Sequence, residues 1–232
     1  MMPVAILAGG VATRLRPLTS TLPKALVEVA GKPFIERQLE QLREQGVLQI
    51  VLCVGYLGDS IERVVGNGAR YGLEITYSYD GTTPLGTGGA IKKALPILGD
   101  AFFVLYGDTL LTCCYQQVEN AFKTSAKPAL MTVFENNGRW DTSNVVFSDG
   151  SILLYDKRNP IPEMHHIDYG LGVLTASVLM SYAEKSFDLA VLYKQLSEHG
   201  DLAGFQVEDR FYEIGSFEGL KETEAFFRGV SS

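Results

Sequence analysis

Two glycines followed by scattered basic residues open the chain. In ILAGGVATRLRPLTSTLPKAL, residues 6–26, Gly9 and Gly10 close an apolar run, and Arg14, Arg16 and Lys24 follow among mostly small residues. Glycine at such a point lets backbone N–H groups come close to a phosphate or a base, and arginine offers a planar fork to phosphate oxygens. The chemistry would be capture of an anion. Residues 1–32 carry a local +3, from Arg14, Arg16, Lys24 and Lys32 against Glu28, while the remaining 200 residues carry −10 within a net charge of −7. A small anionic ligand at the amino-terminal loop fits that asymmetry; a nucleic-acid surface does not. Both common phosphate loops fail on spacing. No G-x-x-x-x-G-K-[ST] starts at Gly9 or Gly10, and neither Thr13 nor Arg14 supplies the last glycine of G-x-G-x-x-G. A strand-ending turn beside solvated basic residues stays open as the alternative for the glycine pair alone.

These residues need a rigid frame, and the hydrophobic pattern supplies one. Val4 to Leu7 is a short apolar run ended by glycine, as a buried parallel strand requires. From Pro33 a helix carries Ile35, Leu39 and Leu42 on one face and stops at Gly46. IVLCVG is a second strand, DSIERVVG a helix that Asp59 and Glu62 can cap, and EITYSY a third strand. Gly88 to Leu95 follows as a helix, AFFVLYGD as a fourth strand ending in Asp108, Tyr115 to Thr124 as a helix, and ALMTVF as another strand. This alternation predicts an α/β, Rossmann-like, mostly parallel sheet with helices on both faces and right-handed crossovers. After residue 140 the pattern changes. NVVFSDGSILLYDK predicts a hairpin around Asp149 and Gly150, the start of a smaller antiparallel portion. We expect one domain over 1–232, made of two halves, 1–140 and 141–232. Open α/β sheets bind ligands beyond the carboxyl ends of their strands, which puts Asp108 at the same edge as Gly9 and Gly10. PLGTGGAI adds a second glycine loop running into a helix amino terminus, suited to an anion or a base.

Composition agrees with a globular protein: 46% hydrophobic, 20% charged, and no apolar run of 18 residues to cross a bilayer. MMPVAILAGG has no basic region before its apolar stretch, so it reads as a strand rather than a signal peptide, and a cytoplasmic protein is expected. Cys53, Cys113 and Cys114 have no paired spacing and read as reduced packing residues. His165 and His166 have no third ligand spaced beside them, Tyr106 reads as core, and Arg16 and Lys32 read as surface charges.

LAGGVATRLRPLTSTLPKALVEVAGKPFIERQL closely resembles the amino-terminal signature of the sugar-1-phosphate nucleotidyltransferases, LAGG-x-x-[ST]-R-[LM]-x-P-L-[ST] with PK a few residues later. The likeness continues through PLGTGGAI, LYGD and FYEIGSFEGL. It implies the nucleotide-diphospho-sugar transferase fold and a reaction in which a sugar 1-phosphate attacks the α-phosphate of a nucleoside triphosphate and releases pyrophosphate. By that resemblance Leu7, Gly9 and Gly10 line the nucleotide site, Arg14 meets the triphosphate and the transferring phosphoryl group, and Lys24 meets the phosphates. Leu85, Thr87 and Gly88 are assigned to base and ribose. Lys157 is assigned to the sugar phosphate, and Asp168 and Gly170 to the sugar pocket, which Trp140 and Asn144 flank. Asp108 is the expected Mg²⁺ ligand. Glu213 takes the place of the second, where the family more often has aspartate in D-x-G.

The short length and PLGTGGA resemble enzymes making GDP-mannose-type, GDP-heptose or UDP-N-acetylmuramic acid products, which favours GTP with heptose or mannose 1-phosphate for a cell-surface polysaccharide precursor. A phosphocholine-type cytidylyltransferase and a non-catalytic nucleotide sensor are the alternatives. A homodimer is the default assembly, with no nucleic-acid or membrane partner. Too few residues follow Gly215 for an appended repeat solenoid, so one activity is expected.

Overall fold

Apolar runs become buried strands, and the segments between them fold back across one sheet. The computed structural model describes residues 1–10, 13–136, 138–140 and 142–229; Val11 and Ala12 of the glycine-loop motif lie outside them. In chain order, β1 (Val4–Leu7) is followed by the small ribbon β2 (Glu28–Val29) and β3 (Lys32–Pro33), then α1 (Phe34–Glu44). Next come β4 (Gln49–Val54), α2 (Gly58–Val65), β5 (Glu74–Tyr79), α3 (Gly86–Leu98), β6 (Ala101–Tyr106) and the two-residue β7 (Thr109–Leu110). Then follow α4 (Tyr115–Ser125), β8 (Ala129–Glu135), β9 (Val145–Ser148), β10 (Ser151–Tyr155) and β11 (His166–Thr175). The chain closes with α5 (Ala176–Ser181), α6 (Leu189–Glu198), β12 (Leu202–Val207), β13 (Tyr212–Glu213) and α7 (Phe217–Phe227).

Nine strands form one sheet in the order β5-β4-β1-β6-β11-β8-β12-β10-β9. β5, β4, β1 and β6 are mutually parallel, and β11 is inserted antiparallel between β6 and β8. β8 and β12 then resume the first direction. Successive side chains on a strand point to opposite faces, and the core divides accordingly. Val4 and Ile6 join Ile35 and Leu39 of α1, Ile61 of α2 and Val118 of α4 on one face, while Ala5 joins Ile91 of α3 and Leu192 of α6 on the other. Asp149 and Gly150 both take positive φ, 49° and 73°, and turn β9 into β10 as the hairpin pattern required.

Four expectations are corrected. α3 starts at Gly86 rather than Gly88, because Gly88 and Gly89 donate their N–H groups to the Phe187 carbonyl and the first turn docks there. The residue at the start of α2 is Leu57, in the left-handed region, with no side-chain cap, so Asp59 is inside the helix. Strand β6 ends at Tyr106, leaving Gly107 and Asp108 in the following turn. Cys114 is exposed at the start of α4, whereas Cys53 and Cys113 are buried thiols pushed up to about 12 by desolvation, which makes poor nucleophiles of them.

Candidate active site

Four strand ends build a cleft of about 580 Å³, lined by Leu7 to Gly10, Cys53, Gly55, Tyr56, Asp80 to Thr82, Pro84 and Tyr106 to Asp108, with Lys24, Ala25, Gly86, Thr87 and Ala90 completing it. The loops are laced together through backbone: Ala8 N–H donates to Cys53 O at 2.9 Å, Asp80 N–H to Val54 O at 2.9 Å, and Gly107 N–H to Leu7 O at 3.0 Å. A Cβ at Gly9 would stand 3.0 Å from Gly55 N, so only glycine lets these two loops touch. Gly10 faces open space. Every residue lining this cleft falls between positions 7 and 108.

Asp108 closes one end. Its Oδ2 accepts from Lys24 Nζ at 2.7 Å, with both side chains largely shielded. The turn carrying Asp108 is fixed from below by Gln38, a side chain on α1 with no solvent exposure, whose Nε2 donates to Tyr106 O at 2.9 Å and to Thr109 O at 2.7 Å. Gln38 therefore clamps both flanks of the Gly107–Asp108 pair. The antiparallel ribbon of β7 and β13 brings in the second acid: Glu213 sits opposite Thr109, and Ile214 N–H donates to Asp108 O at 2.9 Å. The Glu213 carboxylate accepts from Gly215 N–H and, at 2.6 Å, from Ser216 Oγ at the start of α7, where the helix dipole favours a negative charge. A Cβ placed on Gly215 would lie 2.5 Å from Glu213 Oε2 and 3.5 Å from both Asp108 Oδ2 and Arg14 Nη2. Two carboxylates and a guanidinium thus surround one point. Arg14 is exposed beside the wholly buried Leu15, which anchors its turn.

A second cavity, about 600 Å³, opens on the far side of that point. It is lined by Arg14, Asn144, Lys157, Asp168, Gly170 and Glu213 among others, and it shares Tyr106 and Asp108 with the first cleft. Tyr106 is thus a wall of both cavities rather than core. Between Asp168 and Gly172 the register of β11 against β8 shifts, Asp168 facing Val133 and Gly172 facing Met131. The extra residues form a bulge in which Gly170 takes φ 101°, and its N–H donates to Asp168 Oδ1 at 3.0 Å. Burial raises the Asp168 carboxyl above the usual range, opposed by that N–H and by the charge of Lys157. The buried Asn144 holds the strand start, its Oδ1 accepting from Asp168 N–H at 3.0 Å.

Lys157 is exposed, yet its loop is fixed. Asp156 accepts from Lys194 Nζ at 2.6 Å, Arg158 N–H at 2.8 Å and Asn159 N–H at 3.0 Å, and these bonds, the lysine's first, hold its carboxyl well below the usual range. On the rim, the Arg210 guanidinium lies 3.9 Å above the Trp140 ring.

The profile of the nucleotidyl transferase family matches residues 4–143. The chain belongs to that family. Among similar proteins, the N-acetylmuramate α-1-phosphate uridylyltransferase of Neisseria meningitidis serogroup B is 33% identical over 97% of both chains. A mannose-1-phosphate guanyltransferase of Debaryomyces hansenii is 32% identical over 90% of this chain, which spans only 60% of that protein. The crystal structure of HddC from Yersinia pseudotuberculosis complexed with GMP-PN superposes with a TM-score of 0.83 at 26% identity, covering 98% of this chain and all of that one.

This nucleotidyl transferase gathers Leu7, Gly9, Gly10, Lys24 and Asp108 around the first cleft, and Arg14, Asn144, Lys157, Asp168, Gly170 and Glu213 around the second. Leu85 and Gly88 line neither. Gly88 is buried against the Phe187 ring, and Leu85 O accepts from Phe187 N–H at 3.0 Å. Thr87 lines the first cleft, but its hydroxyl is shared with Asp188 and with the Leu189 N–H at the start of α6. His166 sets its ring edge against Phe147, and Lys32 pairs with Glu40 at 2.7 Å, away from both cavities. Gln38 and Asp156, which position Asp108 and Lys157, were missed in the sequence. Gln38 had left a signal: a polar residue on the α1 stripe of Phe34, Ile35, Leu39 and Leu42.

A divalent cation suits the chemistry of this donor set. Mg²⁺ takes hard oxygen ligands and is held by one or two carboxylates plus substrate phosphates rather than by an all-protein cage. Asp108 and Glu213 supply such a pair, and no larger cluster of His, Cys, Asp and Glu occurs among the described residues.

Proposed function

We propose that the chain joins a nucleoside triphosphate to a sugar 1-phosphate, forming a nucleotide-diphospho-sugar and pyrophosphate. The observation that carries this reading is Asp108, shared by two cavities and adjoined by Lys24, Arg14 and Glu213. The first cleft takes the triphosphate, with its base and ribose along the strand ends. The second takes the sugar phosphate, with Lys157 at the phosphate and Asp168 accepting a sugar hydroxyl. An oxygen of the sugar phosphate forms the new bond to the α-phosphorus, and the α–β bridging bond breaks with its electrons leaving on pyrophosphate. No side-chain base is required, because a phosphate monoester is already largely dianionic near pH 7, its second pKa being about 6.

The task is to hold two polyanions together and to stabilise charge that grows as they react. Lys24 and Arg14 do this from the chain's basic opening segment. Asp108 and Glu213 would hold Mg²⁺, which when bound neutralises phosphate charge and orients the oxygens. Asp168 enters as an acceptor, oriented by Gly170 N–H, with Asn144 fixing the backbone beside it. On this reading 1–140 is the nucleotide-binding half and 141–232 the sugar-binding half; the residues lining the first cleft lie within 7–108, whereas the second cavity also uses Arg14, Arg139 and Trp140.

GTP with heptose or mannose 1-phosphate is the first pair to test, supported by the guanyltransferase relative and by the guanine nucleotide in the HddC complex; the uridylyltransferase relative makes UTP with N-acetylmuramate 1-phosphate the second. Pyrophosphate release is measured over four nucleoside triphosphates and a panel of sugar phosphates with Mg²⁺. We expect one strongly active pair. Silence across the whole panel would favour a nucleotide sensor, and activity confined to CTP with phosphocholine would favour the cytidylyltransferase reading.

A further inference from the structure

We propose that Thr132 is a positioning residue for sugar recognition, acting through the β11 bulge that carries Asp168 and Gly170. The inference rests on the sugar-phosphate reading of the second cavity and adds the residue that sets its acceptor. Between the pairs Asp168–Val133 and Gly172–Met131, the three residues Tyr169, Gly170 and Leu171 of β11 stand opposite Thr132 alone on β8. Three residues cannot all share one partner in a ladder, so backbone groups of the bulge must be satisfied another way. Thr132 supplies one answer: its Oγ1 donates to Leu171 O at 2.6 Å in the interior.

Thr132 has no solvent exposure and lines neither cavity, whereas Asp168, Tyr169 and Gly170 all line the second. Valine would fill the same space and bury no hydroxyl, so the strand itself does not ask for threonine. The bond to Leu171 O is what the hydroxyl adds. Just beyond Leu171, a Cβ on Gly172 would run into the Tyr193 hydroxyl of α6, so β11 is seated there against the helix. Pinned at Leu171 and seated at Gly172, the bulge keeps Gly170 at φ 101°, with its N–H on Asp168 Oδ1 at 3.0 Å. The aim of the carboxylate depends on that N–H, and the N–H on the shape of the bulge.

Without the hydroxyl, Leu171 O is left unpaired in the interior, and the bulge must shift for the carbonyl to find another donor. Gly170 moves with it, and Asp168 turns. A displacement of about 1 Å in a group that orients substrate can cost up to about 100-fold.

The test uses the full chain, ¹⁵N-labelled, as the parent, Thr132→Val and Thr132→Ser, which keeps the hydroxyl and drops the methyl. Each is followed by melting curve and by hydrogen exchange of the Gly170 amide. Calorimetry with mannose 1-phosphate and N-acetylmuramate 1-phosphate, and separately with GTP and UTP, gives the affinities, and turnover gives kcat and KM. We expect Thr132→Val to exchange the Gly170 N–H about tenfold faster or more, as a locally loosened segment does. Its Kd and KM for the sugar phosphate should rise about tenfold or more, with triphosphate affinity unchanged and kcat within about threefold of the parent. Thr132→Ser should stay close to the parent throughout. Unchanged Gly170 exchange and sugar-phosphate affinity in Thr132→Val, or a loss shared equally by triphosphate and sugar phosphate, would overturn the proposal. If Thr132→Val does not fold, Thr132→Cys, whose thiol is only a weak donor, takes its place with the same expectations. Faster Gly170 exchange in a chain whose parent form binds neither sugar phosphate would uphold Thr132 as the residue that positions Asp168 and count instead against the function proposed above.

Discussion

Lys24 Nζ rests on Asp108 Oδ2 at 2.7 Å, across 84 residues of sequence. The ammonium occupies the oxygen that a divalent cation would also seek, so on the proposed function the two cations would compete for Asp108. Lys24→Met should lower kcat by about 10²- to 10³-fold, the scale of losing a preorganised cation. It should also lower the Mg²⁺ concentration for half-maximal activity. A Mg²⁺ titration of the variant checks the second effect, and a raised requirement would contradict the competition.

Gln38 touches neither cavity, yet it bonds both carbonyls flanking the Asp108 turn. Gln38→Met keeps the volume and removes the donors. We expect a folded protein with kcat reduced about 10- to 100-fold, a larger Mg²⁺ requirement and little change in KM for the sugar phosphate, since sub-ångström misplacement acts on turnover. An equal loss in every parameter, accompanied by a fall in melting temperature, would mark Gln38 as structural only.

Glu213→Gln keeps the shape of the side chain and removes a charge near Asp108. Half-saturating Mg²⁺ should rise about tenfold or more, with nucleotide binding in the absence of metal nearly unchanged. A metal titration superimposable on the parent's would remove Glu213 from the metal site.

Asp168 carries a carboxyl raised by burial above its ordinary 3.8. It is charged above that raised value and neutral below it, so KM for the sugar phosphate should climb as pH falls through it, earlier than for an ordinary carboxylate. The folded chain binds this proton more readily than the unfolded chain, so the ionised acid costs stability at neutral pH and the cost is relieved as pH falls. Asp168→Asn should therefore bind sugar phosphate more weakly yet melt higher at pH 7. Kinetics across pH and paired melting curves check the two signs.

Asp156 behaves oppositely. Its folded value is depressed, chiefly by Lys194, so its contribution is present above the unfolded value of about 4 and is lost as pH falls toward the lower folded one. Asp156→Asn should melt lower than the parent at pH 7, with the gap closing progressively below about pH 4. A constant gap across that range would mean that the loop is held by its backbone bonds alone.

The glycine loop, the parallel strands and the hairpin at Asp149 and Gly150 were legible because each leaves a local pattern: an apolar run, a glycine, a turn pair. The insertion of β11 between β6 and β8 was not, since nothing local to either strand says which distant strand becomes its neighbour. The β7–β13 ribbon is two residues long on each side, too short for periodicity, yet it brings Glu213 to Asp108. Gly88 shows how a packing partner can stay hidden. A glycine in a loop resembling a nucleotide contact serves here to seat α3 against Phe187, a partner 99 residues away whose arrival the loop's own sequence does not announce.

The walls of the first cleft all come from residues 7–108, whereas the acid that neighbours Asp108 arrives on β13. On a translating ribosome the pocket's components emerge well before Glu213 does. A chain still short of β13 therefore has every residue that lines the first cleft but only the first of the two neighbouring acids.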